Sequence, residues 1–274
     1  MFVFLLSLSS YASDTTYLIK AVENGDNATV KALLAKGVDA NIKRDDGVTA
    51  LIIAIQKGYL GVVSTLIQHG ADPNLRLSSG WDPLAVAFSS PSAAQREIIL
   101  YLIDHGVNLD PPAGSPSPLM GAISAISSNG VAIAIVRHIL AAKYNPDHQD
   151  NEGKTALMHA SEQGCLDFVK GLLLNRADVN MRDKQGRTAL MYVAASYNGN
   201  TFSLVDPTDK TQKVRIDHVA VAKELLSHGA NVTDRDSKGL TALDYAEKAT
   251  VFAPSDEARS RMRALLRSSD ATKR

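Results

Sequence analysis

Cysteine is almost absent from this 274-residue chain: Cys165 stands alone. That excludes an internal disulfide framework and a multi-cysteine zinc site. Aromatic residues amount to only 5%, so a core has to be built from Leu, Ile, Val and Ala. Neither charge sign is in excess, with 29 basic and 29 acidic residues, and no global charge argues for nucleic acid or an anionic membrane. No H-E-x-x-H, G-x-S-x-G, P-loop or G-x-G-x-x-G pattern occurs, so nothing nominates a metal, hydrolase or nucleotide site. We expect no enzyme activity, no metal and no cofactor. What is present, 45% apolar and 21% charged residues, fits a soluble folded protein.

The N-terminus stands apart. Met1 to Leu8 is apolar, and Ser10-Tyr11-Ala12 then places small residues where a signal peptidase needs them. This reads as a secretory signal over residues 1–13, although no Lys or Arg precedes the apolar run. The alternative is an apolar segment that caps the folded body. The run is too short to span a bilayer. The signal implies a periplasmic or secreted protein, and the capping alternative a cytoplasmic one.

Two ladders run through the rest of the chain. The first is a Thr-Ala-Leu type motif whose leucines are Leu51, Leu84, Leu119, Leu157, Leu190 and Leu243, with Leu18 as a degenerate first copy. The spacing is 33 residues in the best copies and 53 at the sixth step. The second ladder begins at Lys36, His69, His105, Asn175 and His228, with "AKYNPD" at Ala142 its weak member. Thr49, Asp82, Ser117, Thr155, Thr188 and Thr241 open the first motif, and each can accept backbone N–H bonds as a helix N-cap. Pro83 and Pro118 suit a first helical position. A second apolar-periodic helix follows after a short turn. Gly37, Gly70, Gly106 and Gly229 sit where a left-handed C-cap is wanted, and Gly47, Gly80, Gly153, Gly186 and Gly239 where a tight turn is.

The pattern resembles the ankyrin repeat, a β-turn and two antiparallel helices with a Thr-Pro-Leu-His type motif. It covers about Asp14 to Arg267. Ala replaces Pro in most copies, and the third and fourth copies carry long loops. The resemblance implies an all-α solenoid of about seven repeats, near 14–45, 46–78, 79–113, 114–150, 151–183, 184–236 and 237–274. The outer two are caps. One helix pair cannot bury its apolar face alone, so neighbours stack into a shared core.

The sixth copy contains some twenty extra residues, 198–217, between its two helices. Phe202 and Leu204 alternate with polar residues before an Asp206-Pro207-Thr208-Asp209-Lys210 turn, and Val214 and Ile216 after it. That is a β-hairpin signature. A neutral insertion and a partner-touching finger are both open readings, since surface loops tolerate insertion cheaply. A lone hairpin is marginal, so its apolar arm must pack on something.

The resemblance also implies where partners bind: the turn tips and the inner face of the first helices. Mapped onto this sequence, the candidates are Arg76, Trp81, Lys154, Arg182, Lys184, Arg187, Arg235 and Lys238, with Phe202 and Lys210 on the finger. The tips grow more basic towards the C-terminus, which fits either an acidic partner surface or a solvated charged face. Trp81 is either an interface anchor or packed on the Pro111–Pro118 loop. His69, His105 and His228 are read as helix-end residues rather than metal ligands, and His159 as a bond between turns. Cys165 is read as an inert thiol. The helix expected in the last twenty residues is read as a cap rather than a nucleic-acid tail. The function expected is a non-enzymatic protein-binding module, monomeric when unbound. One form is an exported immunity protein that neutralises a secreted toxin or antibacterial effector, such as a phospholipase. A cytosolic scaffold or host-directed effector, and a periplasmic stress accessory protein with a reactive Cys165, are the alternatives.

Overall fold

The computed structural model describes residues 14–77, 81–89, 94–111, 117–124, 132–142, 144–197, 201–205, 210–211, 213–248 and 256–271. The signal-like segment, Gly80 and most of the proline-rich loop lie outside them. The described residues form successive helix pairs and one hairpin, grouped in two compact units, 1–108 and 109–274.

The first unit holds α1 (residues 14–23), α2 (Asn27–Ala35), α3 (Ala50–Lys57), α4 (Leu60–Gln68), α5 (Pro83–Ser89) and α6 (Gln95–Asp104). Helix α3 shows how the sequence sets an element. Thr49 is extended and its Oγ1 accepts the Ile52 N–H at 3.2 Å. Gly58, at φ 74, closes the other end. Between them Ala50 to Ile55 are all buried, because a helix that is apolar all round needs neighbours on every side. Helix α4 buries one face only, through Val62, Val63, Thr65 and Leu66.

The second unit holds α7 (Pro118–Ser124), α8 (Ala132–Ala141), α9 (Ala156–Glu162), α10 (Leu166–Leu174), α11 (Ala189–Ala195), α12 (His218–Ser227), α13 (Ala242–Lys248) and α14 (Asp256–Ala271). The terminal helix buries Met262 and Leu266, and Arg267 pairs with Glu247 at 2.9 Å. Thr155, Asp82 and Ser117 cap as expected, accepting the N–H three residues on at 3.3, 2.8 and 3.3 Å. Thr188 does not: its Oγ1 is buried with no partner among the described residues. The Met191 N–H that it would accept goes to the Thr188 carbonyl at 3.0 Å instead, a tightened first turn.

The last residue of each second-ladder motif but the final one, which ends on Thr233, ties one helix pair to the next. Asn41 Nδ2 donates to the Gly70 carbonyl at 3.0 Å while its Oδ1 accepts the Asp72 N–H at 2.7 Å. Asn74 repeats both bonds onto Gly106 and Asn108, and Asn180 onto Gly229 and Asn231. Asp110 and Asp147 keep the acceptor half, towards Asn145 and Asp178, as a carboxylate must. The weak motif at Ala142 therefore still supplies its rung.

The insertion is an antiparallel hairpin of β1 (Thr201–Val205) and β2 (Lys213–Asp217), with Phe202 opposite Ile216 and Leu204 opposite Val214. Residues 206–209 of its turn lie outside the described residues. The apolar arm packs on the chain itself: Val214 and Ile216 are buried, and Ile216 forms a bridge with Cys165. The Asp217 N–H donates to the Gly164 carbonyl at 2.8 Å and the Arg215 N–H to Asp167 Oδ2 at 3.0 Å. The hairpin is thus sewn along the start of α10.

Candidate partner-binding surface

Three tips of the second unit are built on one plan. Asp150, Asp183 and Asp236 each stand five residues before a motif threonine, in Asp-x-x-Gly-x-Thr. Oδ1 of each accepts two backbone N–H groups of its own tip: Glu152 and Lys154, Gln185 and Arg187, Lys238 and Leu240, all at 2.8–2.9 Å. Oδ2 of each is bonded from the following first helix, by His159 Nε2 at 3.2 Å, Tyr192 at 2.7 Å and Tyr245 at 2.7 Å. The left-handed glycine completes each turn. At Gly153, φ 78, a Cβ would also fall 2.8 Å from the Lys184 backbone nitrogen, where Lys184 N–H donates to the Glu152 carbonyl at 3.0 Å. Ser237 N–H makes the same bond to Gln185 at 2.8 Å. The tips are joined in series.

Burial works against ionisation of Asp150 and Asp236, but the hydrogen bonds to each carboxylate outweigh it and hold both below the ordinary value. Burial, then the bond to Asp236, pushes the Tyr245 hydroxyl up to about 12. Burial, then the bond to Asp183, raises Tyr192 likewise. Both phenols therefore stay protonated donors.

Two expected site residues come together on Tyr192. Lys154 Nζ lies 4.5 Å and the Arg187 guanidinium carbon 4.6 Å from its ring centroid, within cation–π range. Each cation also has a carboxylate: Lys154 meets Glu162 at 3.1 Å, and Arg187 Nε meets Asp183 at 2.8 Å. Arg182 lies 3.5 Å from Asp234 and donates to the Arg235 carbonyl, while Arg235 donates to the Gly239 carbonyl at 2.7 Å. A groove of about 490 Å³ between neighbouring tips has Gln149, Arg182 and Lys184 among its walls. Much of the tip charge is therefore neutralised within the chain. Lys184 and Lys238 are exposed and have no ion-pair partner among the described residues.

The remaining candidates lie elsewhere. Arg76 and Trp81 belong to the first unit, where Arg76 pairs with Asp82 at 3.5 Å and Trp81 is 48% exposed. Lys210 is exposed on the finger. Phe202 is placed by its strand register, and its side chain lies outside the described residues. Sequence reasoning passed over Asp150, Asp183, Asp236, Tyr192 and Tyr245. The signal was the Asp-x-x-Gly-x-Thr repetition, of which only the glycine and threonine were read.

The histidines do local work. Nδ1 of His69, His105 and His228 each meets the carbonyl four residues back, at 2.9, 2.7 and 2.9 Å. His159 spans Asp150 and, at 3.4 Å, Ser124 Oγ of the preceding helix pair. Cys165 is fully buried, and desolvation, with the Asp167 charge behind it, pushes its thiol up to about 12.

A model of the family described as ankyrin repeats (three copies) matches residues 16–113 and 119–213. A potassium channel, AKT2/3 of Arabidopsis thaliana, is 31% identical over an alignment of 138 residues that covers 44% of this chain and 17% of the channel. Among solved structures, the human ASB11 ankyrin repeat domain is 25% identical with a TM-score of 0.60, over 91% of this chain and 96% of that one. An Acinetobacter baumannii ankyrin repeat domain is 20% identical with a TM-score of 0.49, over 92% and 97%.

Proposed function

The chain belongs to the ankyrin-repeat family, and from that premise we propose that it is an exported, non-enzymatic protein that holds and neutralises one protein partner. Ankyrin repeats make it a protein–protein interaction module. The observation that carries the reading is the ordered row of tips and first helices from Asp150 to Tyr245. Lys154, Arg187 and Tyr192 are already fixed by Glu162 and Asp183. Side chains held before binding lose less entropy on binding. Lys184 and Lys238 project from that row and favour an acidic partner surface.

Export is supported by the apolar Met1–Leu8 run and the small residues after it. An exported repeat array without a catalytic pattern fits an immunity protein facing a secreted effector, of which a phospholipase is one example. The redox form of the accessory reading has little to stand on, because Cys165 is buried and its thiolate disfavoured.

The test expresses the full chain in a bacterial host, weighs its mature N-terminus, and captures partners from a cell-envelope extract. Cleavage near Ala12 is expected, with one protein enriched by the wild type and lost with Lys184→Glu/Lys238→Glu. An uncleaved N-terminus overturns export. Equal capture by both proteins, or none by either, overturns the tip surface as the binding site.

A further inference from the structure

The insertion does more than cover α10. Val214 and Ile216 of β2 turn to the body, while Lys213 and Arg215 turn to solvent. That outer face leads into a cleft of about 370 Å³ where β2 meets α12 and α14, and its walls include Tyr197, Arg215, Asp217, Lys223 and Arg261. Three cations converge there from three elements, and Arg215 is present only because of the insertion.

The cleft's carboxylate is already engaged. Asp217 Oδ1 accepts the Ala220 N–H at 2.9 Å, and Oδ2 accepts Arg215 Nη2 at 2.6 Å. Arg215 is still 54% exposed, and a guanidinium has five N–H donors. Lys223 is exposed and has no ion-pair partner among the described residues. At the far end of the strand, Arg137 Nη2 donates to the Lys213 carbonyl at 2.8 Å and sets another cation beside it. Among the described residues, Asp167, which accepts the Arg215 N–H, borders the track, and Lys213, Arg215 and Lys223 outnumber it and Asp217 together.

We infer that this track, with Lys213 and Arg215 on β2 leading to Lys223 and Arg261, holds an extended acidic segment of a protein partner. One of its carboxylates enters the cleft. The cleft admits a side chain or two rather than a helix. A planar guanidinium fork beside an ammonium suits a carboxylate. An extended segment can follow the alternate side chains of a strand. This site is separate from the tips, and it gives the insertion a role in recognition. The inference rests on the protein-binding reading above.

The test follows the fluorescence anisotropy of a labelled oligoglutamate peptide titrated with the full chain at low salt. Circular dichroism confirms that each variant is folded. Saturable binding that weakens with added salt is expected. Lys223→Glu and Lys213→Glu should each weaken it by about tenfold, since each sets like charges together. Lys31→Glu, at an exposed position of α2 in the first unit, should leave it unchanged. No binding by the wild type, or wild-type binding by both track variants, overturns the proposal. So does tighter binding of an oligothymidylate of equal length, or competition by inorganic phosphate at equal charge concentration. Loss with Lys184→Glu alone also overturns the track, yet leaves the protein-binding reading standing. Peptide binding that follows the track variants while the envelope extract yields no partner overturns the tip surface instead and leaves the track standing.

Discussion

Gly164 lies flat against the ring of His218: a Cβ built on the glycine would fall 2.7 Å from the imidazole Nδ1 and Cε1. The contact closes the joint where the hairpin ends and α12 begins. Gly164 also has φ 71, a left-handed conformation that costs a residue with a Cβ about 1 kcal/mol or more. Gly164→Ala should therefore destabilise by about 2–3 kcal/mol, strain and overpacking together. A thermal melt of the variant checks this. A glycine with only turn propensity at stake would lose far less.

The same joint makes the protein sensitive to mild acid. His218 Nε2 lies 3.3 Å from the Glu162 carbonyl, so Nε2 carries the proton and donates. Nδ1 is buried with no partner among the described residues. Burial holds the His218 pKa below its ordinary 6.5, although the Glu162 bond and the Asp217 charge pull the other way. In the unfolded chain the ring protonates near 6.5, so the unfolded state binds the extra proton first. Stability is then full above pH 6.5 and falls as the pH drops from there towards the lower folded value. His218→Gln should flatten that part of a urea-stability-versus-pH curve. Asp150 and Asp236 add a second loss, because their folded pKa values lie below 3.8. Their contribution is present above pH 3.8 and disappears as the pH falls below it.

Asp183 is the most heavily bonded of the tip aspartates, and its side chain is fully buried. Tyr192, Arg187 Nε and two backbone amides all donate to it. Asp183→Ala orphans those donors and should cost about 3 kcal/mol. Tyr192→Phe removes one donor and keeps the ring under both cations, so about 1 kcal/mol is expected. Melting curves of the two variants should rank them in that order. Equal effects would mean that the ring, not the hydroxyl, holds the tip.

The helix pairs were legible because capping and periodicity are local. Thr49, Pro83 and Gly70 announce a start, a first turn and an end without reference to anything distant. The docking of the hairpin was not legible. Alternation in β2 says that Val214 and Ile216 share a face, but the surface they meet is the start of α10, about fifty residues earlier in sequence. The tip site was half legible. Lys154 and Arg187 stand out by position, whereas the carboxylates that hold them, Glu162 and Asp183, are distinguished only once the chain is folded. Thr188 shows the limit of a capping rule, since a tightened turn took the bond that its hydroxyl would have accepted.

Cys165 offers a direct readout of whether the hairpin stays docked. Ile216 bridges to it and Asp217 N–H donates to the carbonyl just before it, so a reagent reaches the sulfur only if β2 leaves α10 or the helix pair opens. Thiolate, not thiol, is the reactive form, and at a pKa of about 12 little of it exists at neutral pH. The folded wild type should resist a maleimide and react once unfolded in guanidinium. Ile216→Asp buries a charge in the apolar arm and should release the hairpin, because breaking its packing costs more than an exposed two-stranded ribbon can supply. Labelling of the variant should then proceed under native conditions, while a far-ultraviolet dichroism signal close to wild type shows the helix pairs intact. If the variant keeps its helices and its thiol stays protected, the cover over Cys165 comes from the helices and not from the insertion.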